Sequence, residues 1–195
     1  MRAKGRRGKA PSRELTKRKS EARSSLHVAR GSKPYSFLDH PADVGFEVRA
    51  KTLPEIFAGA ALALCDYGWE LATIRPRRSL SLRARAATLE DLLFSWLAEI
   101  LFLTDAEGWV FREFRVSRVV RAGTARRKAL PYPTTAGRVE PHATPPLWEI
   151  VGEARGEKFA KKRHRSRTYI KAVTYHQLSV QQSAAGCRAT VYLDV

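Results

Sequence analysis

Residues 52–68 read TLPEIFAGAALALCDYG and carry the features of a capped amphipathic helix. Thr52 stands at the cap position and Glu55 follows three residues later, which is the capping-box pattern, and Pro54 is acceptable in a first helical turn. Gly68 marks the expected end. The apolar side chains between them recur at helical spacing: Leu53, Ile56, Phe57, Ala60, Ala61, Leu64 and Tyr67. The sequence therefore predicts a helix with one broad face on a core.

Strands are predicted on both sides of this helix. Residues 35–38 form a short strand candidate, and residues 46–50 alternate apolar and charged side chains with a period of two. Residues 79–86 alternate in the same way after the helix. A period of two is typical of a strand with one buried face.

A second capped helix follows the third strand candidate. Thr88 repeats the cap position with Asp91 three residues on, and residues 92–101 then show another apolar helical face. The order of strand, capped helix and strand thus occurs twice. We therefore predict an α+β fold with two amphipathic helices packed on mostly antiparallel β-sheets, with a duplicated strand-helix-strand-strand module as a hypothesis.

The second half of the chain is predicted to consist of strands. Residues 109–120 indicate one or two strands, and residues 147–151 another. Residues 170–180 and 188–195 are expected to form a final antiparallel pair. Arginines recur at a regular spacing in the first of these stretches, where a solvated strand face is the favoured interpretation: Arg112, Arg115, Arg118 and Arg121.

The chain has 195 residues, which is enough for one main domain, and we assign that domain to residues 34–195. Residues 1–33 hold twelve Lys or Arg against two acidic residues and no aromatic residue. Such a segment cannot bury enough apolar surface to offset its ordering entropy, so we predict a disordered basic N-terminal arm. Residues 122–146 contain five prolines and are predicted to be an inserted loop.

The formal net charge of +17 favours a polyanionic partner. The arm could contact phosphate backbones of tRNA or other RNA, or it could be a solvated tail without a function. The longest apolar run, residues 92–103, is broken by Ser95 and Glu99, so no membrane segment is predicted. Two cysteines without metal spacing favour a reducing cytoplasm.

Candidate functional side chains are mainly carboxylates, since no phosphate-binding loop, nucleophile elbow or zinc motif occurs. Asp39 and Asp43 flank His40, and Asp194 precedes the final carboxylate on Val195. Hard oxygen ligands favour calcium or magnesium. The alternatives are a turn residue for Asp43 and an exposed terminal acid for Asp194.

Five motifs resemble those of the archease family: residues 40–45 (His-Pro-Ala-Asp-Val-Gly), the helical residues 92–97, Gly156-Glu157 with His164, residues 171–176 (Lys-Ala-Val-Thr-Tyr-His), and Asp194-Val195. The resemblance covers residues 35–195 apart from the Pro-rich segment. It implies an α+β fold with two related halves. It also implies that Asp43, Asp194 and Val195 bind a divalent cation, described as calcium in the family.

The resemblance further implies a function. Archeases are cofactors of the GTP-dependent RtcB-type RNA ligase that joins tRNA halves, and they promote its guanylylation and multiple turnover. On this basis the chain is expected to be a non-enzymatic accessory factor in the cytoplasm. Supporting or partner-contacting roles are expected for Asp39, His40, Lys171 and His176.

Two other functions are open from the residues themselves. A stand-alone RNA-binding module would use the arm and a second basic cluster beside His164: Lys158, Lys161, Lys162, Arg163, Arg165 and Arg167. A hydrolase would use Asp43 with His176 as a general base. Histidines such as His40 and His176 are more often structural, and nothing in the sequence brings a nucleophile to either of them. The hydrolase therefore ranks last.

Overall fold

A computed structural model describes residues 33–38, 44–121 and 147–195. These ranges contain two α-helices, α1 (Leu53–Gly68) and α2 (Leu89–Asp105), and a short 3₁₀ turn at Leu71–Thr73. They also contain seven strands: β1 (Tyr35–Leu38), β2 (Val44–Ala50), β3 (Arg78–Ala86), β4 (Trp109–Arg121), β5 (Trp148–Lys158), β6 (Ala172–Ser183) and β7 (Gly186–Asp194). Residues 1–32 of the predicted arm and the predicted loop at 122–146 lie outside the described residues.

The strands form two sheets, with the orders β1-β2-β7-β6 and β3-β5-β4, and every strand pairing is antiparallel. The predicted α+β class is therefore confirmed. The first module consists of β2, α1, β6 and β7, and the second consists of β3, α2, β4 and β5. In each sheet the last strand of the module, β7 or β5, lies between the other two strands of that module. The two modules thus share one topology, and the second is inserted between α1 and β6 of the first.

Both predicted helix caps are present. The hydroxyl oxygen of Thr52 accepts a hydrogen bond from the backbone N–H of Glu55 at 3.4 Å, and the Glu55 carboxylate accepts one from the N–H of Thr52 at 3.3 Å. Thr88 accepts from the N–H of Asp91 at 3.0 Å. These bonds satisfy N–H groups that a helix start leaves unpaired, which fixes both helix starts.

The helices lie against both sheets. α1 packs on β2 and β7 and also on β4, while α2 packs on β3 and β5 and also on β6. The fully buried Trp96 of α2 donates its indole N–H to the carbonyl oxygen of Phe57 in α1 at 3.2 Å, which joins the helices at the centre of the core. No helix within the described ranges is long and apolar enough to cross a membrane.

Two strand predictions were incomplete. β5 continues to Lys158, although residues 152–158 show no apolar alternation, because glycines occupy positions where neighbours approach closely. A Cβ on Gly156 would lie 1.9 Å from the carbonyl oxygen of Val110. β4 is one strand with two register shifts. The second shift places Arg115, opposite Glu153, and Arg118, opposite Val151, on one face of the sheet. All four arginines of this strand are exposed, as predicted, and Arg118 also pairs with the carboxylate of Glu149 at 2.6 Å.

Candidate functional site

Segments that are far apart in sequence meet at one end of the first sheet. β7 lies between β2 and β6, with Val44 opposite Leu193 and Ala172 opposite Asp194. The end of β7 is therefore flanked by the start of β2 and the start of β6. Because three strand ends coincide here, residues from the first motif, the 171–176 motif and the final motif become neighbours.

Lys171 joins the last two of these motifs. Its backbone N–H donates to the carbonyl oxygen of Asp194 at 2.8 Å, and its Nζ donates to the main-chain oxygen of Val195 at 2.8 Å. Nζ also lies 3.7 Å from Oδ1 of Asp194. The side chains of Lys171 and Asp194 are more than half exposed, so this group of one ammonium and two oxygens is open to a partner.

The ring of Tyr192 connects the first motif with His176. A Cβ added to Gly45 would lie 3.0 Å from two carbons of this ring, so a side chain at position 45 would push against it. The imidazole of His176 meets the same ring edge-on, with centroids 5.5 Å apart and an interplanar angle of 70°. The glycine of the first motif and the histidine of the 171–176 motif therefore both support Tyr192.

A β-bulge interrupts β6 inside the site. Thr174 is opposite Tyr192, but the next paired residue, Ser179, is opposite Thr190. Four residues of β6 therefore face Val191 alone, and one of them, Gln177, has a φ of +50°. Positive φ is strained for a residue with a side chain, and bulges re-aim side chains beside functional sites. Sequence reasoning predicted a regular strand here and missed this feature.

The bulge turns Tyr175 towards the start of α2. Its ring stacks on Phe94 with centroids 4.2 Å apart and planes 15° apart, and its hydroxyl donates to Oδ1 of Asp91 at 3.3 Å. Burial raises the pKa of the Tyr175 phenol, and the charge and hydrogen bond of Asp91 raise it further. Asp91 therefore donates its N–H to the cap residue of α2, Thr88, and also anchors the bulge through its carboxylate.

The Gly-Glu motif and His164 form a separate buried structural cluster. The Glu157 carboxylate accepts from the N–H of Arg75 at 2.8 Å and pairs with the Arg163 guanidinium at 2.7 Å. Nδ1 of His164 accepts from the N–H of Ala160 at 2.9 Å, and its Nε2 lies 3.0 Å from Oε1 of Glu157 and 3.2 Å from Nε of Arg163.

These contacts decide the titration of Glu157. Burial raises its pKa, but the N–H of Arg75, the His164 hydrogen bond and the Arg163 charge outweigh that effect, so the pKa lies below its usual range. A buried carboxylate held ionised by three partners orders the chain around it. We therefore assign Glu157 and His164 to structure.

Another buried acid, Asp66, ties the end of α1 to its surroundings. Its Oδ2 accepts from the Tyr35 hydroxyl at 2.8 Å and pairs with Lys33 at 2.5 Å, and its Oδ1 lies 3.3 Å from Arg167. The neighbouring Cys65 thiol is buried, and burial followed by the Asp66 charge raises its pKa far above the usual value. Cys65 is thus an inert core thiol.

The predicted ligands divide between described and undescribed parts of the chain. Asp194 and Val195 are described and lie together, whereas Asp43 lies outside the described residues, as do Asp39 and His40, which were predicted to support the site or contact the partner. Within the described ranges, no group of three or more His, Cys, Asp or Glu side chains could hold a metal ion. The Asp194 and Val195 oxygens nevertheless approach one ammonium, so this end of the sheet suits a positive charge.

The two nested modules define an α+β protein, and the open end of its first sheet holds a polar group of one ammonium and two oxygens. A model of the Archease protein family (MTH1598/TM1083) matches residues 35–195. This chain belongs to that archease family.

Two relatives align with this chain over nearly their whole length. Protein archease from Methanosarcina barkeri is 34% identical over 84% of this chain and 97% of its own length. Protein archease from Methanopyrus kandleri is 30% identical over 83% of this chain and 99% of its own. The solution structure of Methanobacterium thermoautotrophicum protein 1598 aligns with a TM-score of 0.64 at 25% identity, covering 84% of this chain and 100% of that chain. Family membership supports a role as a protein cofactor.

Proposed function

We propose that this chain is a non-enzymatic cofactor of a GTP-dependent RtcB-type RNA ligase in the cytoplasm. It promotes guanylylation and multiple turnover of the ligase during tRNA splicing and RNA repair. Family membership supports the accessory role. The observation that carries the proposal is the approach of the Asp194 and Val195 oxygens to the ammonium of Lys171 on an open strand end.

A divalent cation, calcium or alternatively magnesium, is part of the proposal, with Asp43, Asp194 and Val195 as its ligands. The strand register supports this set, because Val44, bonded directly to Asp43, is opposite Leu193, bonded directly to Asp194. Carboxylate and carbonyl oxygens are the donors that hard cations prefer. A bound cation would supply positive charge at this end of the sheet.

The other residues of the site have supporting roles in this proposal. Lys171 positions Asp194 through its backbone N–H, and its ammonium occupies the Val195 oxygen until a cation replaces it. His176 and Tyr192 give a firm surface beside the ligands. Asp39 and His40 are proposed to contact the partner. Positive charge placed near a transferring phosphoryl group is the usual means of accelerating such reactions, and one protein can provide it to another in trans.

The test is a guanylylation assay with radiolabelled GTP, the RtcB-type ligase from the same source, and the full chain at substoichiometric and stoichiometric amounts. We expect faster formation of the ligase–GMP adduct and more RNA joined per ligase molecule. A chain that binds the ligase without changing either rate would contradict the proposed function.

A further inference from the structure

The segment that leads from β5 to Lys171 is strongly basic. No Asp or Glu occurs between Glu157 and Asp194, whereas the first ten residues of this interval carry six basic side chains: Lys158, Lys161, Lys162, Arg163, Arg165 and Arg167. Two backbone hydrogen bonds to the residues at the end of α1 hold the segment. The N–H of Glu70 donates to the carbonyl oxygen of Arg165, and the N–H of Arg167 donates to that of Gly68.

Phe159 presents an aromatic ring within this basic segment. Phe159 is 45% exposed, although its side chain is large and hydrophobic. Its ring is supported by Trp69 at 5.3 Å and by His164 at 5.9 Å between centroids. Its backbone N–H donates to the carbonyl oxygen of Gly108 at 2.8 Å. The exposed ring is therefore held in place before any ligand arrives.

Most of the neighbouring charges are already used inside the protein. Arg163 pairs with Glu157, Arg167 with Asp66, and Arg165 lies 3.7 Å from Glu70. These guanidinium groups stabilise the fold of the segment. Their charge is largely offset by the partner carboxylates.

Of the other three charges, the ammonium of Lys158 donates to the carbonyl oxygen of Glu107 at 2.6 Å and lies over the Trp109 ring, so two remain for a ligand. Lys161 and Lys162 are exposed and make no ion pair with any residue that the structure describes. In the chain they are separated from Phe159 only by Ala160. The Phe159 ring is held by Trp69 and His164, and two unpaired ammonium groups follow it two and three residues later in the chain. This combination suits a ligand that carries both flat rings and regularly spaced negative charges.

We infer that Phe159, Trp69, Lys161 and Lys162, here called the Phe159 patch, bind single-stranded RNA. A base stacks on the Phe159 ring, and the flanking phosphates contact the two lysines. A single strand is required because the bases of a duplex are stacked on each other and offer no free face. An acidic peptide would use the lysines but would gain little from the exposed ring. This inference does not depend on the ligase or on a metal.

Fluorescence anisotropy with a labelled twelve-nucleotide oligouridine tests the patch, using the full chain without ligase or divalent cations. Phe159→Ala should weaken binding about tenfold, whereas Phe102→Ala, which removes an exposed phenyl from α2, should not. Lys161→Ala with Lys162→Ala should weaken binding and lower the slope of log affinity against log salt by about 1.4.

Lys17→Ala with Lys19→Ala is the matched charge control, since it removes the same charge from the basic arm. The patch is supported if this pair has a smaller effect than the Lys161 and Lys162 pair. Equal losses from both pairs together with unchanged binding by Phe159→Ala would overturn it. An oligoglutamate peptide that binds more tightly than the RNA and equally well to Phe159→Ala would also overturn it.

Circular dichroism of every variant checks the fold. The RNA-binding experiment contains no ligase, so failure to bind RNA would not affect the result of the guanylylation assay. The Phe159 patch and the proposed ligase cofactor role can therefore be contradicted independently.

Discussion

The ammonium of Lys171 lies 2.8 Å from the main-chain oxygen of Val195 and 3.7 Å from Oδ1 of Asp194. In the proposed cation site this ammonium is close to two ligand oxygens and repels the bound ion. We therefore expect Lys171→Ala to tighten calcium binding by at least about fivefold at low salt, measured by isothermal titration calorimetry. Lys162→Ala is the control for net charge. Weaker binding by Lys171→Ala alone would show that the lysine orders the ligands and does not compete with the ion.

Gly156 should be among the least replaceable glycines. A Cβ there would meet the Val110 carbonyl oxygen at 1.9 Å, so β4 and β5 would have to separate. Gly156→Ala is expected to lower the free energy of unfolding by about 3 kcal/mol or more in urea denaturation. Gly68→Ala is the matched control, because its Cβ would make ordinary contacts at 3.5 Å with Ile170 and Thr168. Similar losses in both variants would argue against the close approach at Gly156.

The cap of α2 should contribute measurably to stability. Thr88→Ala removes the acceptor for the N–H of Asp91 and should cost about 1 kcal/mol. Thr104→Ala is the matched control, because it replaces a threonine of α2 that does not cap the helix. Its hydroxyl only bonds back to the carbonyl oxygen of Ile100, and alanine is the better helix former, so little or no loss is expected. Thermal and urea unfolding of the two variants gives the comparison.

Glu157 should make the fold sensitive to acid. Because its pKa is lowered in the folded state, its contribution is fully present above the pKa of an unfolded glutamate, about 4.3, and is lost as the pH falls through the lower folded value. Glu157→Gln should therefore lose less stability than the unchanged chain between about pH 6 and pH 3. Glu107→Gln, at an exposed position, should follow the unchanged chain. Parallel curves for Glu157→Gln and the unchanged chain would show that Glu157 is not linked to folding.

Local signals predicted much of the fold. The spacing of Thr52 and Glu55 and that of Thr88 and Asp91 determined both helix starts, because a cap is formed by residues close in sequence. The continuation of β5 was missed, because Gly156 fits a neighbouring backbone that only the folded chain brings close. The nested order of the modules depends on long-range strand pairing, which local periodicity does not encode.

The candidate site was only partly accessible from sequence. Residue types and the family resemblance together identified Lys171, Asp194 and Val195, but their mutual contacts depend on the pairing of β6 with β7. The bulge that turns Tyr175 to Asp91 leaves no mark in the composition of the 171–176 motif. The acids buried at positions 66 and 157 were also invisible, since burial depends on elements far away in the chain.

The most direct test of the central claim is the rate of ligase guanylylation with the full chain and three single variants. We predict that Asp43→Ala and Asp194→Ala each abolish stimulation and calcium binding, while Asp105→Ala, which removes an exposed aspartate at the end of α2, retains both. Full stimulation by the Asp43 and Asp194 variants would contradict a cofactor mechanism based on these carboxylates.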